Sequence, residues 1–365
     1  MKVWLLLSRL EHGGLERVQL NLAKAMHGRG LDVCLVVGQV IANMRDELPE
    51  ALPVIEIAAS GPSHFLSGVL HALRRDRPDV VFTTSNDVAC MMLALRLAFF
   101  KNMRVIVTQH LSLSGPRLGA RTFRRVKLRA IRMAMHVLLP TANHLIAVSR
   151  GVADDMQQEL SLGDAQITVI HNPIVTPDFS ERIQEPFVWP WPNRNVPTIA
   201  FVGRLSAEKR LDLLLDSFQA LIRATPARLL VVGTGPEQLA IERRIEGGGL
   251  HACCRLTGFV ENVLPLIHAS DVLVLASDYE GFGNVLVEAM ACGTQVIATN
   301  CPHGPAEILD NGRFGQLVPV NDRTALTSAM HNSLTRAFHI SPSMLKTRAN
   351  EFGLNNAVDR YISLL

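Results

Sequence analysis

The sequence lacks a charge excess: its 365 residues carry 36 Lys and Arg against 33 Asp and Glu, a formal net charge of +3. A balance so near zero excludes the broad basic footprint of a nucleic-acid binder. It lacks cysteine frameworks as well. Cys34, Cys90, Cys253, Cys254, Cys292 and Cys301 form no C-x-x-C pair and no metal-ligand spacing, so reduced thiols and no metal site are expected. It lacks a long apolar run. A long stretch free of charged residues, 133–149, is broken by Pro140 and holds two histidines, and the apolar start at Val3 to Leu7 is too short for a signal-peptide core. A cytoplasmic chain without a transmembrane helix is the expectation. Short-period repeats and low-complexity tracts are missing, as is the dinucleotide fingerprint G-x-G-x-x-G, which weakens a dehydrogenase reading.

What is present is mostly alternation. Hydrophobic residues make up 48% of the chain, enough for two cores, and the length fits two domains. Short apolar runs alternate with helical stretches, the mark of a parallel sheet with crossovers. Strands are expected at 2–8, 31–38, 80–84, 104–109, 145–149 and 167–171, and helices at 15–27, 87–100, 121–135 and 151–160. Prolines at 173, 177, 186, 190, 192 and 197 then interrupt the pattern and read as a linker over 173–197. The alternation restarts with strands at 198–203, 228–233, 254–257, 272–276 and 295–299, and helices at 209–224, 236–245, 262–269 and 284–291. The division expected is therefore an amino-terminal domain over 1–172, the linker over 173–197, a second domain over 198–342, and closing helices over 343–365. Two doubly wound α/β domains facing across a cleft would bind a ligand outside the carboxyl ends of their strands.

The residues at those strand ends carry the chemistry. Gly13 and Gly14 precede a helix, and there backbone amides can approach a ligand closely, although a tight turn without one reads equally well. Arg204 and Lys209 follow the strand at 198–203 and form a candidate diphosphate clamp, with solvated surface charges as the alternative. Gly233-x-Gly235 reads as a plain tight turn. His110 ends a strand and could hydrogen-bond a hydroxyl or handle a proton, though a lone histidine is more often structural. In "SDYEGFGNVLVEAMACGTQVIA", Glu280 and Glu288 flank the turn Gly281-Phe282-Gly283, with Asn284 expected as the helix N-cap. Carboxylates on either side of anion-binding amides suit a sugar, a diphosphate and a ribose.

These motifs resemble the retaining glycosyltransferases of family 4, with the GT-B fold of two Rossmann-like domains. The resemblance runs over nearly the whole chain: the E-x7-E element from Glu280 to Glu288, "GGLERV", "VGRLSAEK", "GTGPE", "LTGFVENVLPLIHASDVLVLAS" and "VIHNPI". It implies that Glu280, with the amides of Gly281, Phe282 and Gly283, holds the donor sugar, and that Glu288 holds the ribose diol. It gives the diphosphate to Arg204 and Lys209, with the amides of Asn284, Val285 and Gly14. The base would lie against Phe259 and Val260, and His110 would meet the transferred sugar. No D-x-D motif is present, so the donor, a nucleotide sugar expected to be a UDP-sugar, should need no metal or other cofactor. "PHGPAEIL" resembles members that use UDP-sugars of galactose or N-acetylhexosamines. Asn300 stands where several relatives carry Asp.

Residues 1–180 hold 20 basic against 15 acidic side chains, and residues 181–365 hold 16 against 18. The excess concentrates in "RLGARTFRRVKLRAIRM", where Arg117, Arg121, Arg124, Arg125, Lys127, Arg129 and Arg132 meet no acid. As a helix it would set Phe123, Val126, Ala130 and Met133 on a more apolar side. That pattern suits an anionic bilayer or a polyprenyl-diphosphate-linked glycan acceptor, with a solvated helix face as the plain alternative. The implied role is peripheral, on the inner face of the cytoplasmic membrane, in polysaccharide or lipopolysaccharide biosynthesis. The rival readings are a non-hydrolysing UDP-sugar epimerase on a similar fold and an inactive nucleotide-sugar-binding relative.

Overall fold

The computed structural model describes residues 1–11, 13–40, 44–45, 48–57, 61–114, 131–162 and 167–365. They form two compact units, Met1–Pro173 with Leu354–Leu365, and Ile174–Gly353.

The first unit holds a parallel seven-stranded sheet in the order β3-β2-β1-β4-β5-β6-β7. Its strands are β1 (Lys2–Leu7), β2 (Asp32–Val37), β3 (Val54–Glu56), β4 (Val80–Thr83), β5 (Arg104–Gln109), β6 (His144–Ala147) and β7 (Ile167–Val169). The central strands read as unbroken apolar runs because helices cover both faces of such a sheet; every residue from Val3 to Leu7 is buried. The crossover helices described are Gly14–Gly28, Pro62–Asp76, Asn86–Ala98 and Arg150–Leu160. Most of the helix expected over 121–135, with Arg117, Arg121, Arg124, Arg125, Lys127 and Arg129, lies outside the described residues. Residues 131–138 are helical, and Arg132 pairs with Glu159.

The second unit holds a parallel six-stranded sheet in the order β10-β9-β8-β11-β12-β13. Its strands are β8 (Thr198–Val202), β9 (Arg228–Val232), β10 (Cys254–Gly258), β11 (Val272–Leu275), β12 (Gln295–Thr299) and β13 (Gln316–Val318). Ile199, Phe201, Leu229 and Val231 point into one core, shared with Leu214, Phe218 and Met330. Leu230 and Val232, alternate residues of β9, point to the opposite face, as the two-residue period of a strand requires.

That opposite face changes the reading of the proline-rich segment. Rather than a stiff linker apart from both domains, residues 174–197 belong to the second unit. Trp191 is buried against Leu230, Val232 and Leu266, with Phe187 and Trp189 beside it. The Trp189 and Trp191 ring centroids lie 5.7 Å apart; Arg194 sits over Trp189 at 5.2 Å and Arg228 over Trp191 at 5.1 Å. Beyond helix Phe179–Ile183, Pro186, Pro190, Pro192 and Pro197 keep the segment out of helix, and the aromatics between them cover the sheet.

The closing helices also divide differently from the expectation. Helix Pro342–Asn350 packs on helix Asn284–Cys292 within the second unit, whereas helix Leu354–Ile362 belongs to the first. There Tyr361 is buried with its ring 5.7 Å from Phe82, Arg29 pairs with Asp359, and the Arg104 guanidinium donates to the Leu364 carbonyl at 2.6 Å.

Candidate functional site

In a parallel sheet all carboxyl ends lie along one edge, so the loops after β8, β9, β11 and β12 become neighbours. Backbone bonds knit them into a rim. Leu205 N donates to Thr234 O at 2.9 Å, and Glu237 N to Leu205 O at 2.9 Å. A side chain at Gly235 would sit 2.2 Å from the Leu205 carbonyl, so Gly233-x-Gly235 serves loop-to-loop contact, in line with a plain turn. On the other side, Asp278 N donates to Glu208 O at 2.8 Å and Glu280 N to Pro302 O at 3.3 Å.

The Glu280 loop is braced from three directions. Lys209, last residue of the short 3-10 turn Ala207–Lys209, places Nζ 2.5 Å from Glu280 Oε1. The hydroxyl of fully buried Ser277 donates to the same Oε1 at 2.7 Å. Arg210 Nη1 donates to Asp278 Oδ1 at 2.9 Å, while its Nε and Nη2 hold Asp212 at 3.0 and 3.1 Å. Thr299 Oγ1 donates to the Ser277 carbonyl at 2.5 Å. Both bonds recorded for the Glu280 carboxylate fall on Oε1; among the described residues none falls on Oε2. The Glu280 side chain is 11% exposed, which sets it apart from a solvated loop acid.

The turn then enters helix Asn284–Cys292 through Gly283, whose φ of 101° is left-handed and favours glycine. Gly283 is therefore the N-cap, and Asn284 is the first helical residue, one position later than its side chain suggested. Behind the turn, a side chain at Gly304 would meet the Phe282 carbonyl at 1.7 Å, so only glycine lets the 302–304 segment lie against it. Leu286, Val287, Ala289 and Met290 are buried, leaving Asn284, Val285 and Glu288 as the accessible stripe at helical spacing.

Other expected residues stand as follows. Arg204 is exposed after β8, and its guanidinium has no hydrogen-bonding or ionic partner among the described residues. Phe259 is 51% exposed, and Val260 packs against the Trp191 cluster. The second unit therefore brings Lys209 to Glu280 and ties their loops together. Gly14 and His110 belong to the first unit. Gly14 is the exposed first residue of helix Gly14–Gly28. His110 follows β5 and is 8% exposed; its buried Nε2 has no partner among the described residues. Burial pushes its pKa down to about 4, so the ring is neutral at pH 7. A neutral ring offers one donor and one acceptor, which suits hydroxyl recognition better than carrying charge. The loop after it is held by buried Asp155, which accepts from the amides of Leu113 and, at 3.2 Å, Ser114.

A family model described as "Glycosyl transferases group 1" matches residues 196–336, and one described as "Glycosyltransferase Family 4" matches residues 12–177. The chain belongs to the family 4-type glycosyltransferases. It is 28% identical over 356 residues to a glycogen synthase of Mycobacterium tuberculosis, covering 88% of this chain and 82% of that enzyme. It is 26% identical over 226 residues to an N-acetylgalactosamine-N,N'-diacetylbacillosaminyl-diphospho-undecaprenol 4-alpha-N-acetylgalactosaminyltransferase of Campylobacter jejuni, covering 60% of this chain and 59% of that one. The crystal structure of Anabaena HepE with UDP-glucose superposes with a TM-score of 0.80 at 19% identity, over all of both chains. The fold is that of GT-B glycosyltransferases, built from two parallel-sheet α/β domains.

Reading the glycosyltransferase by residue type missed three supports: Ser277, Asp155 and the Arg210–Asp278–Asp212 cluster. Arg210 carried the one available signal, as a third cation beside Lys209 and Arg204. Ser277 and Asp155 look like ordinary polar residues until burial is known.

Proposed function

We propose that this glycosyltransferase moves a hexose or N-acetylhexosamine, with retention of configuration, from a UDP-sugar to a glycan acceptor carried on a polyprenyl diphosphate. The setting proposed is assembly of a cell-surface polysaccharide or glycolipid. The carrying observation is the Glu280 carboxylate, fixed through one oxygen beside the amino end of helix Asn284–Cys292.

In this reading Glu280 and the amides of Gly281, Phe282 and Gly283 hold the donor sugar. Glu288, on the accessible stripe of the helix, accepts from the ribose hydroxyls. Arg204, Lys209 and the amides of Asn284 and Val285 bind the diphosphate, and Phe259 and Val260 meet the base. As the sugar–phosphate bond breaks, negative charge grows on the leaving nucleotide, and preorganised cations and amides stabilise it by a few kcal/mol per well-placed donor. Lys209 can serve two sites because an ammonium has three donors. His110 is assigned a neutral hydrogen bond to a sugar hydroxyl. No metal is assigned, since the chain carries no D-x-D pair near the site. Support for the donor comes from HepE, solved with UDP-glucose, and support for a lipid-linked acceptor from the Campylobacter enzyme's name.

The test is a donor panel. UDP-, GDP- and ADP-sugars are ranked by thermal stabilisation, then assayed for transfer to extracted lipid-linked oligosaccharides. A UDP-sugar should stabilise most and label the lipid fraction with its anomeric configuration kept. Preference for another base, inversion, or conversion of the donor to an isomer without transfer would replace this reading.

A further inference from the structure

We propose that Ser277 is a positioning residue for the donor sugar: its hydroxyl fixes which oxygen of Glu280 faces the substrate, and keeps it fixed when Lys209 is drawn to phosphate. The inference deepens the donor-site reading above and rests on it.

The geometry has three parts. First, Ser277 is 0% exposed, so its hydroxyl cannot touch a substrate and can act only through a neighbour. Its neighbour is Glu280 Oε1, 2.7 Å away. Second, Oε1 also takes the Lys209 ammonium at 2.5 Å. With two donors on one oxygen, the carboxylate is held in a single rotation and Oε2 is the oxygen left to accept from a ligand. Third, the two donors are unequal in constancy. Lys209 has a 21% exposed side chain on a flexible stem, and its remaining donors can turn to a diphosphate. Ser277 has no such choice. Its own carbonyl is held by Thr299 Oγ1 at 2.5 Å, and that hydroxyl is buried beneath the loop.

Occupation of the phosphate site would therefore divide the Lys209 ammonium between phosphate and Glu280 at the moment the sugar arrives. Ser277 supplies the hold that does not change. A nucleotide without a sugar does not need this device, and a nucleotide sugar does.

The experiment uses the full chain and two readouts. Calorimetry gives the affinity for UDP. Turnover is the release of UDP from UDP-glucose, UDP-galactose, UDP-N-acetylglucosamine or UDP-N-acetylgalactosamine with water as acceptor, using whichever the wild type turns over fastest. Ser277→Ala should bind UDP within about twofold of wild type yet lose roughly tenfold or more in kcat, the size expected for one hydrogen bond to a charged group. Ser277→Cys is a little larger and offers only a weak donor, so it should fall between the two. Thr299→Val, which removes the outer support, should lower kcat less than Ser277→Ala does. Ser277→Ala turning over within about twofold of wild type would overturn the inference, as would UDP affinity falling by the same factor as kcat, the mark of a general structural loss. A wild-type protein that binds and hydrolyses none of these nucleotides removes the donor site itself, and the inference with it.

Discussion

His110 shows how much one buried side chain can set. Its pKa lies near 4 in the folded chain against an ordinary value of 6.5, because burial opposes the charged ring. The unfolded chain therefore binds the extra proton first, and stability falls as pH drops from about 6.5 to about 4, then levels off. The shift corresponds to a loss on the order of 3 kcal/mol across that window. Urea unfolding at pH 7 and pH 4.5 should show this loss in the wild type and a smaller one in His110→Phe. Gly283 makes a separate residue-level demand. Its φ of 101° is open to glycine and strained for any other residue, while the space around it is ordinary. Gly283→Ala should cost about 1–2 kcal/mol through backbone strain alone, read as a lower melting temperature.

At the scale of elements, the segment 174–197 shows that proline density does not mean looseness. Trp191, 7% exposed, fills the second face of the sheet and lies beneath the Arg228 guanidinium. Trp191→Ala should destabilise the protein by about 3–5 kcal/mol in denaturant titration, where a free linker residue would change little. The central strands were legible in the sequence because burial on both faces leaves unbroken apolar runs, as in Val3–Leu7 and β11. Two of the four edge strands, β3 and β13, were not: each has three residues and no alternation to mark it. Helix Pro62–Asp76 opens with Gly61 and Pro62 and contains Gly68, a loop-like composition. Its Gly68 is explained only by packing, since a side chain there would meet Ile57 at 2.2 Å. The same holds in the site. Glu280, Lys209 and the glycine turn stand out by residue type and spacing, whereas Ser277 acts through burial and one hydrogen bond that no spacing announces.

At the scale of the whole molecule, among the described residues no helix is long and apolar enough to cross a membrane. Met133 and Val137, four apart on the helical residues 131–138, are 69% and 66% exposed. They continue the basic stretch that contains Arg121, Arg124 and Arg125. Apolar tips beside a basic run suit an anionic bilayer surface, to which each Lys or Arg contributes about 1 kcal/mol. Replacing those three arginines by glutamate should release the protein from vesicles containing anionic lipid; unchanged co-sedimentation would remove membrane attachment from the account.

In the proposed reading, one loop-and-helix unit of the second domain, from Ser277 to Cys292, grips the sugar and the ribose of a single donor with two different carboxylates. Calorimetric titration of UDP and of the preferred UDP-sugar into wild type, Glu280→Ala and Glu288→Ala tests it most directly. Glu288→Ala should weaken both ligands alike, while Glu280→Ala should leave UDP affinity intact and abolish the difference between UDP and UDP-sugar. Equal binding of both ligands by all three proteins would contradict it.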